Sequence, residues 1–210
     1  MAQCVFDRGV LIAFHANERV REGANGSASV KRSVDTPRLR DDLGRLGMQL
    51  GWNGALSVDA IADGDSELVI DVNPRLVEPG NAWAAGTDLV AAMLAVAQGQ
   101  TFSSGPSRTG VVTHQLLMGI LGSAQQRGTR RAVFGEIVDA LRHGGAYRSS
   151  HEELLPAGGD WRTLALPIAV SVATLTKPST FRWFVDGAVA HYALQPVGWD
   201  DLCRLSPAPA

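Results

Sequence analysis

The residues best suited to chemistry are concentrated in one stretch of the chain, Gly54–Arg75. Two short apolar runs are joined there by the polar turn ADGDSE, a pattern that predicts a β-hairpin. Asp59 lies on the first run and Asp71 on the second, and in a hairpin the two carboxylates face each other across neighbouring strands. Asn73 follows Asp71 by two positions, so it shares the same strand face. Carboxylate and amide oxygens suit hard divalent cations, which predicts Asp59, Asp71 and Asn73 as ligands of Mg²⁺ or Mn²⁺.

A second interpretation of the two acids stays open, in which they are solvated strand-end carboxylates beside a polar turn. Against it, Asp71 lies inside the apolar run LVIDVN. A carboxylate in the middle of an apolar strand requires a partner or a cation, because an unpaired buried charge is costly.

Arg75 follows Asn73 by two positions and sets a permanently charged guanidinium beside the proposed metal. Such a group stabilises the negative charge that develops during phosphoryl or acyl-phosphate transfer. The alternative is a salt bridge from Arg75 to Asp71 or Glu78.

The pattern Asp59 … Asp71-Val72-Asn73-Pro74-Arg75 resembles the metal-binding end of the ATP-grasp ligases, which include biotin carboxylase, carbamoyl phosphate synthetase and D-alanine–D-alanine ligase. The family more often has Glu at the position of Asp71. The resemblance continues through Val77-Glu78-Pro79 and Gly86-Thr87-Asp88-Leu89-Val90, and it covers about residues 2–103, roughly half of the chain.

This resemblance implies ATP and Mg²⁺ or Mn²⁺ as cofactors and a small carboxylate as substrate. It implies Arg75 and Glu78 as the catalytic residues, with Glu78 similar to a carboxylase-type Glu that acts near the bound acceptor. The spacing from Arg75 to Glu78 is one residue shorter than in that run, and a structural ion pair between the two is the alternative.

The segment Glu22–Ser33, with the sequence EGANGSASVKRS, is rich in Gly, Ser and Ala and predicts a mobile loop. Small residues let backbone N–H groups approach an anion, and Lys31 and Arg32 could neutralise phosphate charge. An ordinary surface loop is the alternative. The family's second phosphate-covering flap lies at this position, which favours Gly26, Ser27, Lys31 and Arg32 as nucleotide-binding residues.

Around these residues the pattern predicts α+β structure. Gln3–Phe6 and Val10–Ala16 read as a hairpin, and leucines spaced by four, three and four residues predict a helix over Thr36–Leu50. A helix over Ala84–Gln98 and a linker at Thr101–Thr109 follow. The rest predicts helices at Val112–Gln126, Arg131–His143, Trp161–Thr176 and Pro178–Tyr192, with a short one after Trp199.

The expected fold is therefore the C-terminal lobe of an ATP-grasp fold, an antiparallel sheet with flanking helices over residues 1–103. An all-α extension over residues 104–210 follows it. The parts of the family that hold adenine have no counterpart before Asp59. The chain is thus expected to be truncated, or to need a separate chain supplying the N-terminal lobe, or to act as a homodimer.

Composition sets further expectations. The 210 residues are 45% hydrophobic and carry a formal net charge of −2, with a pI near 6.2, which argues against nucleic-acid or anionic-membrane partners. Cys4 and Cys203 form neither a zinc motif nor a disulfide framework. No signal peptide opens the chain and the longest apolar run, Leu164–Leu175, is too short to span a bilayer, so a cytoplasmic protein is expected.

Two functions follow from the sequence. The first is the ATP- and Mg²⁺-binding portion of a ligase that activates a carboxylate as an acyl phosphate for attack by an amine or another nucleophile. The second is a non-catalytic regulatory or assembly module built on a degenerate half of the same fold.

Overall fold

The computed structural model describes residues 1–63, 66–154 and 161–192. Its centre is a seven-stranded sheet. The strands are β1 (Ala2–Asp7), β2 (Val10–Glu22), β3 (Ala28–Val34), β4 (Gly54–Asp63), β5 (Ser66–Asn73), β6 (Val112–His114) and β7 (His151–Glu152). Their order across the sheet is β5-β4-β1-β2-β3-β6-β7. Neighbouring strands are antiparallel except β6 and β7, which are parallel, so the sheet is mixed and the fold is α+β.

Seven α-helices accompany the sheet in the described part of the chain. They are α1 (Pro37–Leu50), α2 (Gly80–Ala84), α3 (Leu89–Ala97), α4 (Leu116–Arg127), α5 (Arg130–Leu141), α6 (Ala165–Thr176) and α7 (Phe181–Tyr192). The leucine spacing located α1 correctly. Pro37 stands in its first turn, where the missing N–H costs nothing, and Gly51 ends it in the left-handed conformation. The predicted helix over Ala84–Gln98 corresponds to α3 together with the end of α2.

One face of the sheet packs against α1. Alternate residues of β1 and β4 point to this side and form a core with two leucines of the helix: Ala2, Cys4, Phe6, Leu56, Val58, Leu39 and Leu43. The closest approach is at Gly47, where a Cβ atom would lie 2.1 Å from Cε1 of Phe6. The helix therefore lies against the sheet at a distance that only glycine permits at this position.

The opposite face is covered by α2 and α3 only in part. Val5 and Ala13 pack there against Ala82, Leu89 and Ala92. The remainder of this face is polar and carries the candidate site.

The structure differs from the sequence prediction at two places. Ala28–Val34 is a strand, whereas Glu22–Ser33 was predicted to be a loop; pairing with β2 on one side and β6 on the other overrides its Gly- and Ser-rich composition. The second half was predicted to be all-α, yet Val112–His114 and His151–Glu152 extend the sheet. Strands of three and two residues are too short to show an alternating pattern. The short helix predicted after Trp199 lies outside the described residues.

The second half is also joined to β2 by buried polar groups. Glu136 of α5 is 2% exposed and accepts hydrogen bonds from Arg21 and from the hydroxyl of Tyr147. The Arg21 guanidinium lies 5.8 Å from the centre of the Tyr147 ring. Burial, followed by the carboxylate of Glu136, raises the pKa of Tyr147. Within the described ranges, no helix combines the length and the apolar character needed to cross a membrane.

Candidate functional site

The register of the strands places a continuous row of polar side chains on one face of the sheet. Directly paired residues of antiparallel strands share a face, as do residues two apart on one strand. Five cross-strand pairs therefore point to the side opposite α1: Asn73–Ser57, Ser57–Gln3, Gln3–His15, Asn17–Ser33 and Lys31–Thr113. We call this surface, which also includes Asp59 and Asp71, the polar face.

The three predicted metal ligands meet at one end of the polar face. Asp59 pairs directly with Asp71 across the hairpin, and Asn73 pairs with Ser57 in the next row. The Nδ2 atom of Asn73 donates to Oδ2 of Asp71 over 2.7 Å. Within the described residues, the other carboxylate oxygen of Asp71 and the side-chain amide oxygen of Asn73 have no hydrogen-bond partner, and both carboxylates are exposed.

Asp71 is therefore exposed, and the expectation of a buried carboxylate is wrong. β5 is the edge of the sheet, and the apolar residues around Asp71 are themselves exposed, among them Leu68, Ile70 and Val72. An apolar run predicts burial only where another element covers the strand. What distinguishes Asp59 and Asp71 is that two like charges lie directly opposite each other, which destabilises a strand pair unless a cation intervenes.

The two predicted catalytic residues lie on residues 74–79, which we call the crossing loop because it traverses the polar face from β5 towards β3. Three side chains of the sheet hold it in sequence. The Ser57 hydroxyl donates to the carbonyl of Arg75 (2.9 Å), the Gln3 side chain accepts from the N–H of Val77 (2.8 Å), and Lys31 binds Glu78. Arg75 thus lies near the paired aspartates and Glu78 at the other end.

The Arg75 side chain is exposed and makes no ion pair with any residue of the described part, so its alternative role as a partner of Asp71 or Glu78 is not realised. Glu78 pairs instead with Lys31, whose Nζ lies 2.5 Å from its Oε2. The backbone of Glu78 has a φ of +50°, which a residue with a Cβ rarely adopts. Such conformations persist where surrounding contacts hold them, often at functional sites.

Lys31 is buried, with 3% of its side chain exposed, and it lies between two carboxylates. Glu153, from the segment after β7, is the second, with Oε2 3.1 Å from Nζ. The Nε2 atom of Gln115 donates to both carboxylates, at 2.7 Å to Glu78 and 3.2 Å to Glu153. Sequence reasoning named Lys31 and Glu78 but not their pairing. It missed Glu153 and Gln115, because neither residue lies in a recognisable motif.

The other proposed nucleotide-binding residues lie elsewhere. Arg32, the strand neighbour of Lys31, faces the opposite side of the sheet, where it is exposed and pairs with Glu18 at 3.1 Å. Gly26 and Ser27 belong to the turn between β2 and β3. The carbonyl of Gly26 accepts from Arg19 and the Ser27 hydroxyl donates to the carbonyl of Ala24. The structure therefore brings Lys31, but not Gly26, Ser27 or Arg32, to the polar face.

A buried hydrogen-bond chain supports the centre of the polar face. The Nδ2 atom of Asn81 donates to the Thr113 hydroxyl (2.8 Å), so its carbonyl oxygen accepts from Nε2–H of His15 (2.8 Å). The Nδ1 atom of His15 then accepts from the Ser107 hydroxyl, also at 2.8 Å. Nε2 of His15 therefore carries a proton, and burial keeps the ring neutral by lowering its pKa. Both ends of the Asn81 amide are used within this chain.

We expect His15 to make the protein sensitive to acid. Burial lowers the pKa of His15 to about 4, against 6.5 for the free side chain. His15 therefore becomes protonated below about pH 6.5 in the unfolded chain but only below about pH 4 in the folded protein. The unfolded state binds more protons between these pH values, so the free energy of unfolding falls as the pH drops through this window. Between pH 7 and pH 5 this one group should cost about 2 kcal/mol of unfolding free energy.

Urea unfolding of the wild type and of His15→Gln at the two pH values measures this contribution as a difference. His151→Gln, which removes an exposed histidine, serves as the control and should retain the wild-type pH dependence. A His15 ring that titrates near pH 6.5 in an NMR experiment would contradict the assignment.

Within the described ranges, no group of three or more His, Cys, Asp or Glu side chains is placed to hold a metal ion. The candidate cation site of the polar face has two carboxylates and one amide. No family model matches the chain, and no curated protein matches it significantly.

Proposed function

We propose that the polar face binds Mg²⁺–ATP and that this chain is the ATP- and metal-binding portion of a cytoplasmic ligase of the ATP-grasp type. The observation that carries the proposal is the direct pairing of Asp59 with Asp71 on one face, with Asn73 beside them. A divalent cation held by these oxygens would neutralise phosphate charge, and the exposed Arg75 that follows them adds a permanent positive charge.

The donor set fits a hard divalent ion. Two carboxylates and the amide oxygen of Asn73 are oxygen ligands, and Mg²⁺ usually takes one or two carboxylates and completes its shell with phosphate and water. When bound, such an ion would neutralise phosphate charge and fix the orientation of the nucleotide.

The reaction proposed for the intact enzyme has two steps. An oxygen of the substrate carboxylate attacks the γ-phosphorus of ATP, the bond to the bridging oxygen breaks and ADP leaves, giving an acyl phosphate. An amine or another nucleophile then attacks the acyl carbon and releases inorganic phosphate. Arg75 would stabilise the charge on the transferred phosphoryl group from the crossing loop. Glu78 would act at the opposite end of that loop, near the bound acceptor.

The crossing loop separates the paired aspartates from Lys31. Lys31 and Asp71 lie on strands four positions apart, which corresponds to about 19 Å at the usual strand spacing. The loop spans this interval with one hydrogen bond to β4, one to β1 and one to β3. The phosphates would therefore lie at the Asp59–Asp71 end of the loop, beside Arg75.

The metal assignment predicts a loss of cation affinity in Asp71→Asn, which removes one charge without changing shape. Asp71 lies next to Asn73 on the face and should contribute more than Asp59. We expect Mn²⁺ affinity, measured by calorimetry in the presence of ATP, to fall at least about tenfold for Asp71→Asn, equivalent to about 1.4 kcal/mol, and less for Asp59→Asn.

Asp35→Asn is the matched control, since Asp35 is an exposed acid after β3 with no place on the polar face. It should leave the affinity unchanged. Equal losses in the variant and the control would indicate a general charge effect, and no loss in either would show that the paired aspartates are not the metal site.

A second candidate function is a non-catalytic assembly module. The observation that favours it is the exposed edge strand β5, whose side chains Leu68, Ile70 and Val72 are apolar and uncovered. Unpaired strand edges with apolar side chains associate readily with other strands. Thermal stabilisation by Mg²⁺–ATP would support the ligase function, whereas its absence combined with tight dimerisation in sedimentation would support the assembly module.

A further inference from the structure

The net charge of −2 conceals a strong separation of charge along the chain. Residues 127–148, which include α5, contain five arginines: Arg127, Arg130, Arg131, Arg142 and Arg148. All five are exposed, and in the described part of the chain none of them makes an ion pair. Of the two acids in this range Glu136 is buried, which leaves Asp139 as its exposed carboxylate. The range therefore presents unbalanced positive charge to its surroundings.

The outer side of α5 combines this charge with exposed apolar residues. A stripe at helical spacing runs along it: Arg130, Phe134, Val138 and Leu141. Phe134 is 59% exposed and Leu141 is 73% exposed. Arg131 lies beside the stripe on the same outer side, because the buried residues of the helix occupy the opposite side. We call these five residues the basic side of α5.

The β4–β5 hairpin has the opposite charge and a similar set of exposed apolar residues. Residues 54–73 contain five acids and neither Lys nor Arg. Three large apolar side chains are exposed there, at 55% for Ile61, 63% for Leu68 and 59% for Ile70. Glu67 precedes Leu68 on β5, and it lies towards the turn, four positions from Asp71. We call Ile61, Glu67, Leu68 and Ile70 the acidic end of the hairpin.

The two surfaces lie in different parts of the sheet. Ala140 of α5 belongs to the same core cluster as Val30 of β3, against which Val112 of β6 packs. Strand β3 is four positions from β5 in the sheet, which corresponds to about 19 Å at the usual strand spacing. β5 is an edge strand, so another molecule can approach its free side. Two copies can therefore bring together the surfaces that one copy keeps apart.

We propose that the basic side of α5 binds the acidic end of the hairpin in a second copy of this chain. The apolar side chains of both surfaces pack against each other, and the charges of opposite sign around them determine orientation and partner choice. Because the two surfaces differ, the contact is heterologous and copies add head to tail. This inference goes beyond the proposed function and does not depend on a metal ion at Asp59 and Asp71.

Sedimentation velocity of the wild-type chain measures the association. We expect the weight-average sedimentation coefficient to rise with protein concentration between about 1 and 100 μM at low salt, and to rise less at high salt, which screens the charges. Arg131→Glu and Glu67→Arg each place like charges in the contact. Each should raise the dissociation constant at least about tenfold, equivalent to about 1.4 kcal/mol.

An equimolar mixture of these two variants is the sharpest measurement. The Arg131→Glu variant offers a helix of reversed charge to the reversed hairpin of the Glu67→Arg variant, and their unaltered surfaces match as in the wild type. The mixture should therefore associate within about threefold of the wild-type dissociation constant, although neither variant does so alone. Phe134→Ser removes an exposed apolar side chain without a change of charge and should also weaken the association.

Two variants of α1 serve as controls. Arg40→Glu and Asp41→Arg make the same changes of charge at exposed positions on a helix that takes no part in the contact. Both should associate as the wild type does. Losses in these controls as large as those in the test variants would indicate an effect of total charge and would overturn the proposal.

Three further results would also contradict the proposed contact. The first is a wild type that stays monomeric over this concentration range at low salt, and the second is a mixture that associates no better than the separate variants. The third is binding to phosphatidylserine vesicles without self-association, lost in Arg131→Glu, which would assign the basic side of α5 to a lipid surface. Failure to bind Mn²⁺ and ATP would overturn the proposed function alone, because no metal or nucleotide takes part in this contact.

Discussion

Replacing Lys31 by methionine should lower the free energy of unfolding by about 3–5 kcal/mol, because removing one partner of a buried ion pair leaves an uncompensated charge. Glu153 is fully enclosed and could not reach water after the substitution. Gln115 would remain as its side-chain donor, together with the N–H of Asn81. Urea unfolding at pH 7 measures the loss.

The neighbouring residue supplies the control. Arg32→Met removes the same charge one position along β3, but from an exposed pair with Glu18, and exposed pairs contribute about 0–1 kcal/mol. We therefore expect Arg32→Met to lie within about 1 kcal/mol of the wild type. Similar losses in the two variants would show that the burial of Lys31 has no energetic consequence.

Replacing Gly47 by alanine should destabilise the protein by about 2–3 kcal/mol, since overpacking a close-packed core forces side chains or backbone to move. The added Cβ would lie 2.1 and 2.4 Å from Cε1 and Cδ1 of Phe6, a ring that is itself fully buried. Either the ring leaves its position between the sheet and α1, or α1 shifts away from the sheet.

Gly44 lies one turn earlier on the same helix, and Gly44→Ala is the control. It separates the effect of core packing on stability from the effect of helix propensity. Its Cβ would meet only a leucine methyl group at 3.9 Å. The substitution should stabilise the helix by up to about 1 kcal/mol, the usual gain of alanine over glycine. A stabilising effect of Gly47→Ala in the same thermal-unfolding series would contradict the packing of α1 on Phe6.

Local sequence patterns correctly predicted those elements in which the spacing of apolar residues reflects which side of the element is buried. The leucines of α1 repeat with the period of a helix because one side of it faces the sheet, and the turn at Asp7-Arg8-Gly9 separates two strands that pair with each other. For the two strands, the pairing partner lies close in the sequence. For α1, the side that faces the sheet is apolar.

The sequence was less informative where distant residues decide the structure. Nothing in Ala28–Val34 indicates that β6 will pair with it, because its partner lies far along the chain and is three residues long. The apolar residues of β5 suggested burial, but no other element covers that edge.

The same distinction between local and distant determinants applies to the candidate site. Asp59, Asp71 and Asn73 could be placed on one face from the period of a strand alone, and the structure places them there. Lys31 and Glu78 were both named, but for separate reasons. That they meet depends on the path of the crossing loop, which is determined by hydrogen bonds to Ser57 and Gln3 that no local pattern encodes.

The position of Glu153 has a consequence for the order in which the chain matures. Synthesis proceeds from the N-terminus and domains begin to fold as they emerge. Lys31 leaves the ribosome 122 residues before its enclosed counter-ion, and β3 before its partner β6. During that interval the strand carries a solvated ammonium group and an unpaired edge. The early sheet is then an incomplete intermediate that depends on late-arriving residues, and a pause or cleavage between the two halves leaves it open to association with other nascent chains.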